Sequence, residues 1–375
     1  MEDSAKKRKQ KRTLQNAMRK FNAAEEYYAK IIIKNSSKTR LRIYRKIASL
    51  MHNRFSLMDA LDVLHDSASN GGKNPGEPLA IAIACWGRAL NNGKSFSDAL
   101  DGWAPDREKL MLSVGDVSDL ESALLNLIKV SEGSTKMIRP IIGAISYPAF
   151  LMMAAVLIIY AIGVYMVPPM IDAAPNVKWR GIAKDLIELS SWIQHNWIFA
   201  FSILPVLMLI IYATIGIWVG RLRVYFDAVP PWSLYRIFVG ISWLLSLSAL
   251  ISGGTPVSTA MRALRKNSSR YLRERIDKTL EYINSGENLG QALAKTHYNF
   301  PDVEIINDLK IYSELDNFEE ALDNMANEWL EESVIMIEQK ASILNMIALI
   351  FIAGAIAWAV MGTFEMQDQI TSSMG

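Results

Sequence analysis

At 375 residues the chain has room for two or three domains, and its 51% apolar and 21% charged composition, with a mean hydropathy of +0.13, excludes an ordinary soluble globule. Forty Lys and Arg against 38 Asp and Glu leave a net charge of only +2, which by itself favours neither acidic nor basic partners. What matters is where the charges and the apolar runs fall.

Residues 1–38 form a basic, polar leader in which Lys6, Lys7, Arg8, Lys9, Lys11 and Arg12 cluster. The cluster reads either as a solvated tail that reinforces topology or as a contact for anionic lipid head groups or an acidic partner. No nucleic-acid-reading motif or aromatic interleaving accompanies it, so no nucleic acid is expected. No secretory signal follows it either, since no apolar stretch longer than Ile31–Ile33 precedes residue 141.

Residues 39–139 lack strand-like alternation and read as a helical bundle, broken by a Gly71-Gly72-Lys73-Asn74-Pro75-Gly76 loop. Its last helix carries Leu120, Ala123, Leu124, Leu127 and Ile128 on one apolar face. Ser118-Asp119-Leu120-Glu121 before it fits a capping box. The acidic and hydroxyl residues here (Asp116, Ser118, Asp119, Glu121) therefore have two readings, helix caps or partner contacts. Cys85 has no partner for a disulfide and lies in a segment expected to be cytosolic, where thiols stay reduced.

Three uncharged runs follow: Ile141–Val167 with 27 residues, Asn196–Gly220 with 25 and Ala341–Phe364 with 24. Each exceeds the roughly 20 residues that cross a bilayer core. They define transmembrane helices at 140–167, 196–220 and 341–362, separated by a short loop at 168–195 opening with Pro168-Pro169, and followed by a tail at 363–375. Trp197 and Trp218 bracket the second run where interfacial aromatics belong. Residues 221–340 form a second helical domain, in which Thr255-Pro256 signals a helix start. Asp316-Asn317-Phe318-Glu319 repeats the capping pattern, and Phe318, Ala321, Leu322, Met325, Ala326, Trp329 and Leu330 repeat the stripe. Asp316 and Glu319 carry the same two readings as their first-copy counterparts.

The second domain repeats the first. Asn92-Gly93 answers Ser285-Gly286, Ala99-Leu100 answers Ala292-Leu293, Pro105-Asp106 answers Pro301-Asp302, and Glu121 through Leu124 answers Glu319 through Leu322. The repeat also decides a fourth apolar stretch, Ile237–Ile251, whose counterpart around Ile43–Met51 carries charges that lipid would not tolerate. It is expected to be a soluble helix. Residues 1–140 hold 24 of the 40 Lys and Arg, 168–195 hold three, 221–340 hold thirteen and the tail none. The positive-inside rule then puts the N-terminus and both domains in the cytoplasm and the loop and C-terminus in the periplasm. The expected fold class is all-α: an integral membrane protein with two related cytoplasmic helical bundles and three transmembrane helices.

Catalytic signals are missing from the sequence. Gly93-Lys94-Ser95 lacks the first glycine of a phosphate loop, position 88 being Arg88, and its repeat partner has no lysine. His52, His65, His195 and His297 fit no metal-ligand spacing. The spans carry no ionisable residue, which speaks against a transporter. Neither an enzyme nor a cofactor is expected.

With these residues assembled, the chain resembles the inner-membrane platform proteins of type IV pilus and type II secretion systems, the GspF/PilC family, over roughly residues 40–365. The stretches that carry the resemblance are Gly93 through Leu100, Val114 through Glu121 leading into Tyr147-Pro148, Leu250 through Val257, and Ser285 through Leu293. The family's Gly-Glu-x-Ser-Gly pattern reads Gly115-Asp116-Val117-Ser118-Asp119 here, and Ile311-Tyr312-Ser313 replaces its start in the second copy. Such departures suggest a divergent branch of type IVb or conjugative thin-pilus kind. The resemblance implies a non-enzymatic platform in the bacterial inner membrane, homo-oligomeric, acting with a cytoplasmic pilus or secretion ATPase, pilin subunits and other inner-membrane assembly components. A small membrane transporter and a scaffold of another envelope complex remain the alternatives.

Overall fold

The computed structural model describes residues 22–115, 119–266, 268–315 and 317–374. Asp116, Ser118, Asp316 and the cations Lys6, Lys7, Arg8, Lys9, Lys11 and Arg12 lie outside the described residues. Among those described, all regular structure is helical. The chain divides into two compact units, one running up to Thr135 and again over Val239–Glu331, the other taking Lys136–Phe238 and the chain from Glu332 onward.

The first unit holds the bundle part of both copies of the repeat, whose last helices continue into the second. After α1 (Ala23–Asn35) come α2 (Ser37–His52), α3 (Leu57–Ala68), α4 (Pro78–Asn91), the single turn α5 (Phe96–Ala99), α6 (Asp106–Gly115) and α7, which begins at Leu120 and runs to Ala161. The second copy answers helix for helix with α12 (Trp232–Ser252), α13 (Val257–Lys266), α14 (Arg270–Asn284), α15 (Leu289–Lys295), α16 (Val303–Tyr312) and α17 (Phe318–Met374). Packing repeats too: α3 on α4, α4 on α5 and α5 on α6 are matched by α13 on α14, α14 on α15 and α15 on α16.

The turns show why. At the end of α4, Gly93 takes φ 80° while its N–H reaches Leu90 and that of Lys94 reaches Ala89; at the end of α14, Gly286 takes φ 94° with the same pair of bonds to Ile283 and Tyr282. This left-handed C-cap satisfies carbonyls that a helix end leaves open, and glycine adopts it without a Cβ clash. The same bonds close α2 at Arg54 and Phe55 and α12 at Gly254 and Thr255, except that the first copy puts arginine at φ 65° where the second has glycine at φ 82°. Helix α13 begins at Val257, just beyond the Thr255-Pro256 start signal.

Both apolar stripes face inward. Ala123, Leu124, Leu127 and Ile128 are buried on α7, and Leu322, Met325, Ala326, Trp329 and Leu330 on α17. The core of the first copy gathers Trp86, Phe96 and Trp103 edge to face. In the second, Phe300 meets Trp243 and Tyr271, and the Arg275 guanidinium lies 3.4 Å from the Tyr271 ring centroid. Gly290 lets α15 cross α16 closely, because a Cβ there would fall 2.3 Å from the Lys310 nitrogen.

Among the described residues four helices, against the expected three spans, are long and apolar enough to cross a membrane: α7 with its continuation, α10 (Trp197–Ile215), α12 and α17. They differ in surroundings. The apolar window of α12 is 72% buried within the protein, against 17% for α7 and 6% for α17. Most of the α12 window is therefore covered by protein, while by length and composition the helix still qualifies as a fourth span.

In the second unit α7 passes Pro140 and Pro148 without breaking. A π-helical turn at Ile162–Met166 then leads into α8 (Val167–Ala173), so Pro168-Pro169, read as the opening of a loop, sits in a helical first turn. The loop itself contains a 15-residue helix, α9 (Gly181–His195). Likewise the residues read as a tail are helical to Met374 and packed: Met366 joins Ile162, Val167, Ala183, Leu186 and Ala359 in one core. Gln369 holds the Arg180 backbone through bonds of 3.2 and 3.1 Å, and Glu365 accepts from the Ala183 N–H at 3.1 Å. Beyond α10, α11 (Arg221–Phe226) carries the buried Arg223–Asp227 pair.

Candidate functional site

The acidic turns before α7 and α17 are the residues singled out by sequence. In the first copy Asp119 is the cap: its carbonyl accepts from the Ala123 N–H and its carboxylate from the Glu121 N–H at 3.0 Å and from the Ser122 hydroxyl. The Ser122 hydrogen bond comes first among the causes that hold the Asp119 carboxyl below its ordinary range. Glu121 accepts from His52 Nδ1, 2.9 Å away at the end of α2.

In the second copy Asn317 takes the cap position, its carbonyl accepting from Ala321. Glu319 and Glu320 stand exposed at the mouth of a cleft of about 520 Å³, opposite the Gly254-Thr255-Pro256 turn, with Ile251 and Phe318 among its apolar walls. This turn lies in the Leu250–Val257 stretch that carried the family resemblance. The matching glutamate of the first copy, Glu121, meets His52 instead. Sequence alone did not reveal the difference, because it depends on which residue at the end of α2 or α12 faces the acid.

More was missed at the seam between the two copies. Lys129 on α7 donates to both carboxylate oxygens of Asp323 on α17, at 2.9 and 2.8 Å. Asp323 also accepts from the Ser248 hydroxyl at 3.1 Å and from Asn327. Arg107 on α6 donates to the Ser242 carbonyl at 2.8 Å and to the Ser246 hydroxyl at 2.5 Å, and burial lowers its pKa. Ser134 and Ser242 hydroxyls meet at 3.3 Å. Gly133 makes room for the seam, since a Cβ there would lie 2.8 Å from Leu330 and 3.1 Å from Leu245. Ser242, Ser246 and Ser248 are thus the polar face by which an otherwise span-like helix is joined to both copies.

A second polar cluster is internal to the first copy. Arg40 forms a bidentate pair with Glu108 at 2.8 and 2.7 Å, and Tyr44 donates to the same carboxylate at 3.0 Å. Burial first, then the Glu108 charge, pushes the Tyr44 phenol well above its ordinary pKa. Arg40 is pulled down by burial, but its bonds to Glu108 outweigh that and leave it raised. The second copy has Gly240 in place of Arg40 and Leu244 in place of Tyr44 when the two helix ends are matched, with Pro301 packed on Gly240. The ionic triad is therefore a property of one copy, not of the repeat. Among the described residues no group of three His, Cys, Asp or Glu side chains could hold a metal ion.

Comparison with known proteins agrees with this architecture. The family model for the Type II secretion system (T2SS), protein F, matches residues 43–168 and again 243–364, about two thirds of the chain. The two matches begin 200 residues apart, as do the matched ends of α2 and α12. The chain is also 24% identical over 347 residues to the toxin coregulated pilus biosynthesis protein E of Vibrio cholerae serotype O1, covering 90% of this chain and 99% of that protein. A multi-pass inner-membrane protein of helical bundles and apolar helices, with one domain used twice, belongs to the Type II secretion system protein F family.

Proposed function

We propose that the protein is the inner-membrane platform of a type IV pilus machine, on which a cytoplasmic assembly ATPase acts while pilin subunits are lifted from the membrane into the fibre. The observation that carries the reading is the repeated family domain, each copy of which ends in a helix that runs unbroken from a packed bundle into an apolar stretch, Leu120–Ala161 and Phe318–Met374. A helix transmits displacement along its axis, so such continuity suits a part that turns motion in the bundles into motion at the membrane. Similarity to a pilus biosynthesis protein over nearly the whole chain favours the pilus over the secretion branch.

In this reading residues 1–139 and 221–340 are cytoplasmic, 168–195 and 363–375 periplasmic, and the spans number three. Support for three comes from α12, whose apolar surface is already buried and whose serines are held by Arg107, Ser134 and Asp323. Moving it into lipid would break those bonds and uncover Arg107.

Deleting the chain should abolish piliation, and restoring it on a plasmid should recover fibres, while the purified ATPase keeps its turnover. Fibres that still assemble without the chain would sink the proposal.

A further inference from the structure

Helix α11 is turned inside out. Its charged residues point into the protein: Arg223 and Asp227, four positions apart, form an ion pair at 0% side-chain exposure. The same guanidinium donates to the Ile215 carbonyl at the end of α10, 3.4 Å away. Its apolar residues point out. Leu222 and Tyr225 are 69% and 76% exposed, and Phe226 and, in the following turn, Val229 are exposed with them. Tyr225 and Phe226 lie three and four positions beyond Leu222, the spacing of one helix face. A helix facing water carries the opposite polarity, apolar within and charged without.

We propose that α11 and the turn after it lie in the bilayer, at the boundary of head groups and acyl chains, with Leu222, Tyr225, Phe226 and Val229 turned to lipid. Their depth follows from the span beside them. None of the apolar window of α10 is buried, and Trp218 just beyond it stands where an interfacial aromatic belongs. An uninterrupted helix would carry position 226 about 12 Å along the axis from position 218. Instead Gly220 takes φ 95° and the chain bends, so that the Phe226 ring lies 4.9 Å from that of Trp218. Trp232 closes the group, 6.2 Å from Trp218 and 5.3 Å from Phe226. Helix α11 is thus folded back to the level of Trp218. Ile217 and Val219, both exposed, join the end of α10 to this face, so its surface continues the one that the span presents to lipid. Tyr225, apolar in its ring and polar at its tip, suits that depth, and the exposed Arg221 has the length to reach the phosphates. Pairing of Arg223 with Asp227 fits as well, since charges beside acyl chains persist where they are paired. The embedded part of the chain then runs to Val229, past Gly220 where the uncharged run ends. This requires only that α10 crosses the bilayer, and nothing of the platform reading.

The test uses the full-length chain in nanodiscs of phosphatidylethanolamine and phosphatidylglycerol. A nitroxide is attached at Leu222→Cys or, separately, at Tyr225→Cys, each in a Cys85→Ala background, with Asn74→Cys in the exposed loop as the control. Both sites are exposed in the parent, and an unchanged thermal midpoint shows that the label leaves the fold intact. At positions 222 and 225 the label should collide more with oxygen, which concentrates among acyl chains, than with a water-soluble nickel reagent. At position 74 the order should reverse. A bimane on the cysteine at 225 should be quenched several-fold more strongly by lipids labelled near the head group than by lipids labelled near the chain end. Nickel access at 222 and 225 equal to that at 74 would put α11 in water and overturn the proposal. Low access to both reagents would overturn it too, by showing protein over the face, a second copy if one chain per disc restores the access. Stronger quenching from the chain ends would overturn the interfacial depth.

Discussion

Buried polar side chains in the first copy are few and closely coupled, so single changes there have large effects. Removing the carboxylate of Glu108 leaves the Arg40 guanidinium at 2% exposure without its counter-ion and the Tyr44 hydroxyl without its acceptor. Breaking one side of such a pair costs about 3–5 kcal/mol. Glu108→Ala should therefore lower the thermal midpoint of the detergent-purified chain sharply, whereas Glu132→Ala, which breaks an exposed pair with Arg45, should cost about 1 kcal/mol or less. Similar losses for both would show that the buried triad adds nothing.

His65 gives a pH dependence with a definite sign. It is 2% exposed, and among the described residues neither ring nitrogen has a hydrogen-bond partner. Burial lowers its pKa, and the neighbouring Asp66 only partly opposes this. The folded state thus binds a proton less readily than the unfolded chain, whose histidines titrate near 6.5. Its contribution is complete above about pH 6.5 and is lost as pH falls below that value toward the lowered folded pKa. Thermal unfolding followed from about pH 7.5 to about pH 5 should fall less steeply for His65→Leu than for the wild type. Parallel curves would place the acid sensitivity elsewhere.

At the scale of the element, glycines with the same sequence appearance have opposite roles. Gly290 faces the backbone of α16 at a distance no Cβ allows, while at Gly143 on α7 an added Cβ would meet nothing within 4 Å. Gly290→Ala must push α15 off α16 and should reach or exceed the upper end of the about 1–3 kcal/mol cost of overpacking. Gly143→Ala should be neutral or stabilise by about 0.5–1 kcal/mol, since alanine restricts the unfolded chain and favours helix. Differential scanning of the two variants checks the contrast, and a stable Gly290→Ala would refute the close crossing. Helix types, stripes and the glycine turns were legible in the sequence because they follow local periodicity and backbone sterics. The helix inside 168–195 and the helical end of α17 were not: Pro168-Pro169 is as compatible with a loop as with a first helical turn, and the packing of Met366 and Ala183 is contact between residues far apart in the chain.

For the whole molecule the decisive feature is the seam that joins the two copies within one unit. Ser134→Cys with Ser242→Cys, in a Cys85→Ala background, should crosslink readily under mild oxidation, because the native hydroxyls stand 3.3 Å apart. Adding Gly133→Leu, which forces a side chain against Leu330 and Leu245, should lower the yield. Crosslinking that is absent in the parent pair would refute the seam. By itself the sequence determined the repeat, the helical class, the three uncharged runs and the charge bias, since each is a property of residues read in order. The tertiary structure alone decided which residues the repeat brings together. It showed that α12 is an apolar helix largely buried by protein, that Asp323 meets Lys129 across 194 positions, and that Glu121 meets His52 in one copy while Glu319 and Glu320 line a cleft in the other. Length and hydropathy measure how well a helix would tolerate lipid, whereas burial depends on whether another part of the same chain reaches it first.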